Sequence, residues 1–173
     1  MNEKSYPFHI YFSAKILSPF IRTFDGFKDI ADLIVRLWIA NIFLTSGLSK
    51  LTDWGATLVL FKYDYHVPII SANMAAYLGT GAEFVLPVLL ILGLGGRFTV
   101  FCFFVYNIIC VISFQFLWTP VGQSGLYDHI NWGMLLMLIM FHGSGRISID
   151  HFLRKRYGHL LNLGINKKPL WLE

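Results

Sequence analysis

Four runs of this chain stay apolar for longer than a soluble helix face or core strand requires: residues 30–51, 70–94, 98–118 and 127–143. A helix of about 20 residues crosses the hydrocarbon of a bilayer. Within lipid every backbone polar group must be satisfied inside its own segment, and these runs lack the alternation of barrel strands, so helices are the economical reading. The expected fold is an all-α integral membrane protein, a four-transmembrane-helix bundle. The fourth run is the shortest, and its helix is expected to end at the headgroups or to continue past Gly145.

Composition agrees. Hydrophobic residues make up 55% of the chain and charged residues 14%, against about a quarter charged in an ordinary soluble domain. At 173 residues there is room for one domain. The net charge of +4 is spread beside the apolar runs, not gathered on one face, so the basic residues read as membrane anchors. Nucleic acid is therefore not an expected partner; the lipid bilayer is, together with a protein partner or a second copy of the chain.

The cations also orient the spans. Lys4, Lys15, Arg22, Lys28, Arg97, Arg146, Arg154, Lys155, Arg156, Lys167 and Lys168 fall on one side, and only Lys50 and Lys62 on the other. By the positive-inside rule both termini are cytoplasmic, which in a bacterium means the inner membrane. Residues 1–28 lack a short apolar core with a small-residue cleavage site, so the first span is expected to be retained.

Residues 1–29 are expected to form an amphipathic interfacial segment, 30–150 the membrane domain and 151–173 a basic tail. Phe12, Ile16, Leu17, Phe20, Phe24 and Phe27 recur at helical spacing among Lys15, Arg22 and Lys28, with Ser18 and Pro19 as cap and first helical position. An extension of the first span is the alternative. Residues 93–97 permit only a tight hairpin, whereas 52–69 and 119–126 are longer, outward-facing loops where a pocket would open. Cys102 and Cys110 are eight residues apart in one helix, about 12 Å of rise, too far for a disulfide.

Three stretches carry a resemblance. The first span reads RLWIANIFLTSGLSKL, the second GTGAEFVLPVLLILGLGGRF, and the fourth closes on FHGSGRISID. Over residues 30–150 the chain resembles the DoxX family of small bacterial membrane proteins, through Arg36, Phe43, Gly47, Lys50 and Leu51, then Glu83, Gly93 and Arg97, then Gly143, Gly145, Ser148 and Asp150. The resemblance implies a four-helix membrane protein, found in some relatives as a subunit of thiosulfate:quinone-type oxidoreductases or in thiol and oxidative-stress complexes.

Ionisable groups at membrane depth cost about 2.5–3.5 kcal/mol on insertion scales, so they face a partner or a cavity. Arg36 lies about 9 Å and Glu83 about 18 Å from the cytoplasmic ends of their spans. Arg36, Asn41 and Glu83 are the expected intramembrane polar site, with Lys50 approaching from the other side. Glu83 paired with either cation could simply fix helix register; alternatively it titrates, carrying a proton or meeting a ligand's polar head. A second cluster is expected where the outer ends of the first, third and fourth spans meet: Lys50, Gln115, Asp128, His129 and Trp132, able to hold a quinone head or a small anionic sulfur compound, or serving as ordinary interface residues. Met134, Met137 and Met140 form a ladder whose ordinary use is packing, and no metal is expected there.

The chain carries no haem, flavin, iron–sulfur or nucleotide fingerprint. What the resemblance implies, and the leading functional expectation, is an accessory or quinone-contacting subunit of a membrane oxidoreductase, with no intrinsic cofactor. A proton or small-solute transporter, and a scaffold or assembly protein, are the alternatives.

Overall fold

The computed structural model describes residues 8–143 and 145–157, and among the described residues every regular element is a helix, apart from one isolated bridge between Tyr65 and Phe114. The elements are α1 (Phe8–Thr52), α2 (Trp54–Tyr63), α3 (Ala72–Leu92), α4 (Gly96–Ser113), a 3-10 turn (Gln115–Trp118), α5 (Gln123–His142) and α6 (Ile149–Tyr157).

Among the described residues three helices are long and apolar enough to cross a membrane: α1 over Gly26–Thr52, α3 and α4. Their outer faces carry Ile34, Leu37, Trp38, Leu48, Val85, Val88, Ile108 and Ile112 exposed. A water-soluble monomer rarely shows apolar surface on that scale, whereas hydrocarbon solvates it, and this is the surface of a membrane protein. The fourth long helix, α5, is more polar in its first half, where Asp128, His129 and Asn131 fall. It nevertheless shares the core. Ile39 and Phe43 of α1, Leu90 of α3, Val100 and Phe103 of α4, and Leu136 and Ile139 of α5 form one buried cluster, with the Phe43 and Phe103 rings edge to face at 4.7 Å. α1 packs along α3 and α4 along α5, and the α3–α4 and α1–α5 contacts close the ring.

Several boundaries differ from the sequence expectation. Ser18 and Pro19 do not open a helix: α1 is continuous from Phe8 and holds Pro19 in its interior, where the ring removes one backbone hydrogen bond. Residues 52–69 are not simply a loop, because Asp53 caps α2 by accepting from the backbone N–H of Ala56 at 2.9 Å. The third span ends at Ser113, not at residue 118, since Phe114 turns extended and the chain re-enters as a 3-10 turn.

The expected hairpin at 93–97 is present. Gly93 ends α3 in the left-handed region, with Leu94 N–H returning to the Leu89 carbonyl at 3.0 Å. A Cβ at Gly93 would stand 2.5 Å from the Ser148 Cβ, so only glycine admits the Ser148 segment that leads into α6.

Candidate functional site

Lys50 and Glu83 form a buried ion pair, with 8% and 4% of their surfaces exposed. The ammonium donates to both carboxylate oxygens at 2.7 Å and to Ser46 Oγ at 2.8 Å. Ser46 Oγ in turn donates to Glu83 Oε1 at 3.2 Å, and the single Tyr106 hydroxyl proton is shared between Gly79 O at 3.0 Å and Glu83 Oε1 at 3.3 Å. Helical side chains lean toward the N-terminus, so the Lys50 stem lies back over the preceding turn and meets Ser46 four residues earlier. Gly47 completes the approach. A Cβ there would meet the Phe84 ring at 3.0 Å and the Glu83 Cβ at 3.2 Å, so its absence lets α1 press against α3 at the level of the carboxylate.

Arg36 is not part of this cluster, although the sequence grouped it with Glu83. Its guanidinium donates to the carbonyls of Asp32, Leu90 and Ile147 at 3.4, 3.5 and 2.6 Å. Leu90 lies seven residues beyond Glu83 on α3, about 10 Å of rise, which places Arg36 two turns out of reach. There it ties α1, α3 and the segment leading to α6 together. Arg146 N–H donates to Asp29 at 2.9 Å, and Asp150 accepts from Gly95 N–H at 3.2 Å, closing the same end of the bundle. Asn41 is exposed on the outside of α1.

The second expected cluster is also divided. Gln115 and Asp128 are exposed, while His129 and Trp132 turn inward with their rings 4.7 Å apart. Asn107 Nδ2 donates to the His129 carbonyl at 2.9 Å, which points Asn107 Oδ1 at His129 Nδ1, 2.8 Å away. An amide oxygen only accepts, so Nδ1 carries the proton and Nε2 the lone pair. Met134 and Met137 face outward from α5, and Met140 packs on the core. Among the described residues no group of three or more His, Cys, Asp or Glu side chains could hold a metal ion.

Two cavities meet at the ion pair. The larger, about 290 Å³, is almost wholly apolar and lies between α2, α3 and α4, with Lys50, Glu83 and Tyr106 at one wall. The smaller, about 120 Å³, reaches inward to His129 and Trp132. Glu83, Tyr65 and Cys110 line both. Phe61, Tyr65 and Phe114 stack face to face, with neighbouring ring centroids 4.6 Å apart in each pair. Phe61 and Tyr65 of this stack line the larger cavity. Burial raises the Tyr65 phenol above its ordinary value, so it remains neutral. Leu78 of α3 and Ile109 of α4 line the cavity and are also exposed on the outer surface, so its mouth faces lipid between those helices.

Sequence reading missed Ser46, Tyr106, Asn107 and Ser113, and saw Cys110 only as a thiol. The signal was present: Tyr106, Cys110 and Ser113 fall at i, i+4 and i+7, a thin polar stripe on an otherwise apolar helix.

Comparison with known proteins adds one decisive observation. A family model described as DoxX matches residues 31–115, a stretch that includes Lys50, Glu83, Tyr106 and Ser113. The chain carries a DoxX domain. Arg36, Gly47, Lys50, Glu83, Gly93 and Arg97 all lie within it, while Ser148 and Asp150 fall beyond its matched end. An uncharacterized protein of Haemophilus influenzae is 24% identical to this chain over 135 residues, covering 72% of this chain and 84% of that one. No solved structure matches the chain.

Proposed function

We propose that this DoxX protein binds a lipophilic molecule with a small polar head, of the quinone class, and serves as the quinone-contacting accessory subunit of a membrane oxidoreductase. The observation that carries the reading is the apolar cavity of about 290 Å³ that opens toward lipid and ends on a buried carboxylate. An engineered cavity of about 150 Å³ in another protein holds benzene, so this one accommodates a substituted ring. A ligand entering between Leu78 and Ile109 comes from the bilayer and leaves its tail there.

The ion pair sets which head fits. All three Lys50 protons are committed to Glu83 and Ser46. Glu83 Oε1 accepts from Lys50, Ser46 and Tyr106, whereas Oε2 accepts from Lys50 alone and keeps acceptor capacity. A hydroxyl head, as in a hydroquinone, donates to Oε2 without disturbing the pair. A carbonyl head requires Lys50 to release one of its bonds, so the reduced form is the tighter ligand. Electrons come from a redox cofactor on a partner protein; this chain orients the head and keeps water from it.

In this reading α5 is the fourth span and the bundle sits in the inner membrane with the basic α6 on the cytoplasmic face; residues 1–7 of the expected interfacial segment and 158–173 of the expected basic tail lie outside the described residues. Equilibrium binding of a tailed hydroquinone to the protein in lipid nanodiscs tests the proposal. The wild type binds, and Lys50→Met with Glu83→Met, the pair removed together, binds at least about tenfold more weakly. Equal binding by the folded double variant overturns it.

One observation favours a second reading. Glu83 lines both cavities, the arrangement expected if a proton or small solute passes the ion pair. Proton flux into liposomes that collapses in Glu83→Gln, without any added hydroquinone, supports transport over ligand binding.

A further inference from the structure

Among the described residues three buried side-chain polar atoms lack a hydrogen-bond partner: Asp32 Oδ2, Thr80 Oγ1 and Ser113 Oγ. Of these, Ser113 alone lines the larger cavity. It is 1% exposed and is the last residue of α4. A hydroxyl at membrane depth ordinarily bonds to a carbonyl or a neighbouring helix, because leaving it unpaired is unfavourable. Ser113 is also held in place. Its carbonyl accepts from His66 N–H at 2.8 Å, and the Tyr65–Phe114 bridge and ring stack lie directly beside it.

The cavity therefore has two polar poles in an apolar lining. Tyr106, whose hydroxyl meets Glu83, and Ser113 are two turns apart on one face of α4, about 10 Å of rise. A ligand that reaches both poles therefore needs two polar atoms, one for Glu83 and one for Ser113.

We infer that Ser113 is the second polar contact of this cavity, so that its ligand carries a second hydrogen-bonding oxygen besides the one that meets Glu83. The inference rests on the ligand-binding reading above. A serine hydroxyl both donates and accepts, so it serves a carbonyl or a hydroxyl at the far pole, whereas Glu83 accepts at the near one. A site with a buried group awaiting a partner also selects against ligands that cannot supply one.

The test compares two probes in nanodiscs under reducing conditions: a para-hydroquinone with an alkyl tail, and a phenol with the same tail. Both present a hydroxyl to Glu83; only the hydroquinone has a second oxygen for Ser113. The wild type is expected to prefer the hydroquinone by about 3- to 10-fold. Ser113→Ala is expected to weaken hydroquinone binding by about the same factor, to leave phenol binding unchanged, and not to lower the thermal stability of the ligand-free protein, because the lost hydroxyl had no partner. Ser113→Cys, of similar volume and weaker hydrogen bonding, falls between. Equal weakening of both probes, or of neither, in both variants overturns the assignment of Ser113. Failure of the wild type to bind either probe overturns the ligand-binding reading itself.

Discussion

Replacing Lys50 by Met removes the ammonium that meets both Glu83 oxygens at 2.7 Å. Breaking a buried ion pair by deleting one partner destabilises by about 3–5 kcal/mol, because the remaining charge is left without its counterion. Here the carboxylate keeps the Ser46 and Tyr106 hydroxyls, at 3.2 and 3.3 Å, which places the loss near the lower end, about 3 kcal/mol. Glu83→Met is expected to be worse, about 4 kcal/mol, since it strands the ammonium with Ser46 alone. Removing both charges leaves only the Ser46 hydroxyl short of a partner, while Tyr106 keeps its bond to the Gly79 carbonyl. The double variant should then lose only about 1–2 kcal/mol. The two single effects together thus exceed the double by about 5–6 kcal/mol, measured from equilibrium unfolding in mixed micelles as the denaturing detergent fraction is raised. Additivity to within about 0.5 kcal/mol would mean that Lys50 and Glu83 do not depend on one another in the folded protein.

Other outcomes follow from the same geometry. Arg36→Met removes three carbonyl contacts at the far end of the bundle and should destabilise by about 2–4 kcal/mol; amide exchange of residues 145–157 should rise, with hydroquinone affinity unaltered in the folded fraction. Gly93→Ala places a Cβ 2.5 Å from the Ser148 Cβ at a φ of +62° and should cost at least about 1–3 kcal/mol by the same unfolding assay. Ala82→Phe projects a ring into the larger cavity, and should reduce hydroquinone binding by at least about tenfold while leaving the melting temperature within a few degrees of wild type. Asn107→Leu frees His129 Nδ1 and the His129 carbonyl; a loss of about 1–3 kcal/mol and a mixed imidazole tautomer by nitrogen NMR are expected.

Much of the fold could be read from hydropathy, because lipid leaves a backbone few choices. The apolar runs located α1, α3 and α4, and the glycines at 93, 95 and 96 located the turn between the last two. α2 escaped because ten residues are too few to span a bilayer, although its Asp53 cap was visible. The polar first half of α5 makes that helix resemble its neighbours less by composition than by packing. Within the site, Arg36, Lys50 and Glu83 stood out as charges in apolar runs, but not which of them met. That depends on the register between α1 and α3, set by the close approach at Gly47 and by the backward lean of the Lys50 stem. Neither has a signature in hydropathy. Tyr106 and Ser113 were overlooked, and Cys110 was weighed only as a thiol, because each is unremarkable singly in an apolar helix; only the cavity gives their spacing meaning.

Photoaffinity labelling in intact membranes tests the lipid-facing pocket most directly. A tailed quinone bearing an azide on its ring, irradiated and mapped by mass spectrometry, should label the cavity-lining segments 78–83 and 106–113, and excess unlabelled hydroquinone should suppress the labelling. Labelling that spreads evenly over the lipid-exposed faces of the helices, or that resists competition, would contradict a binding site at Lys50 and Glu83.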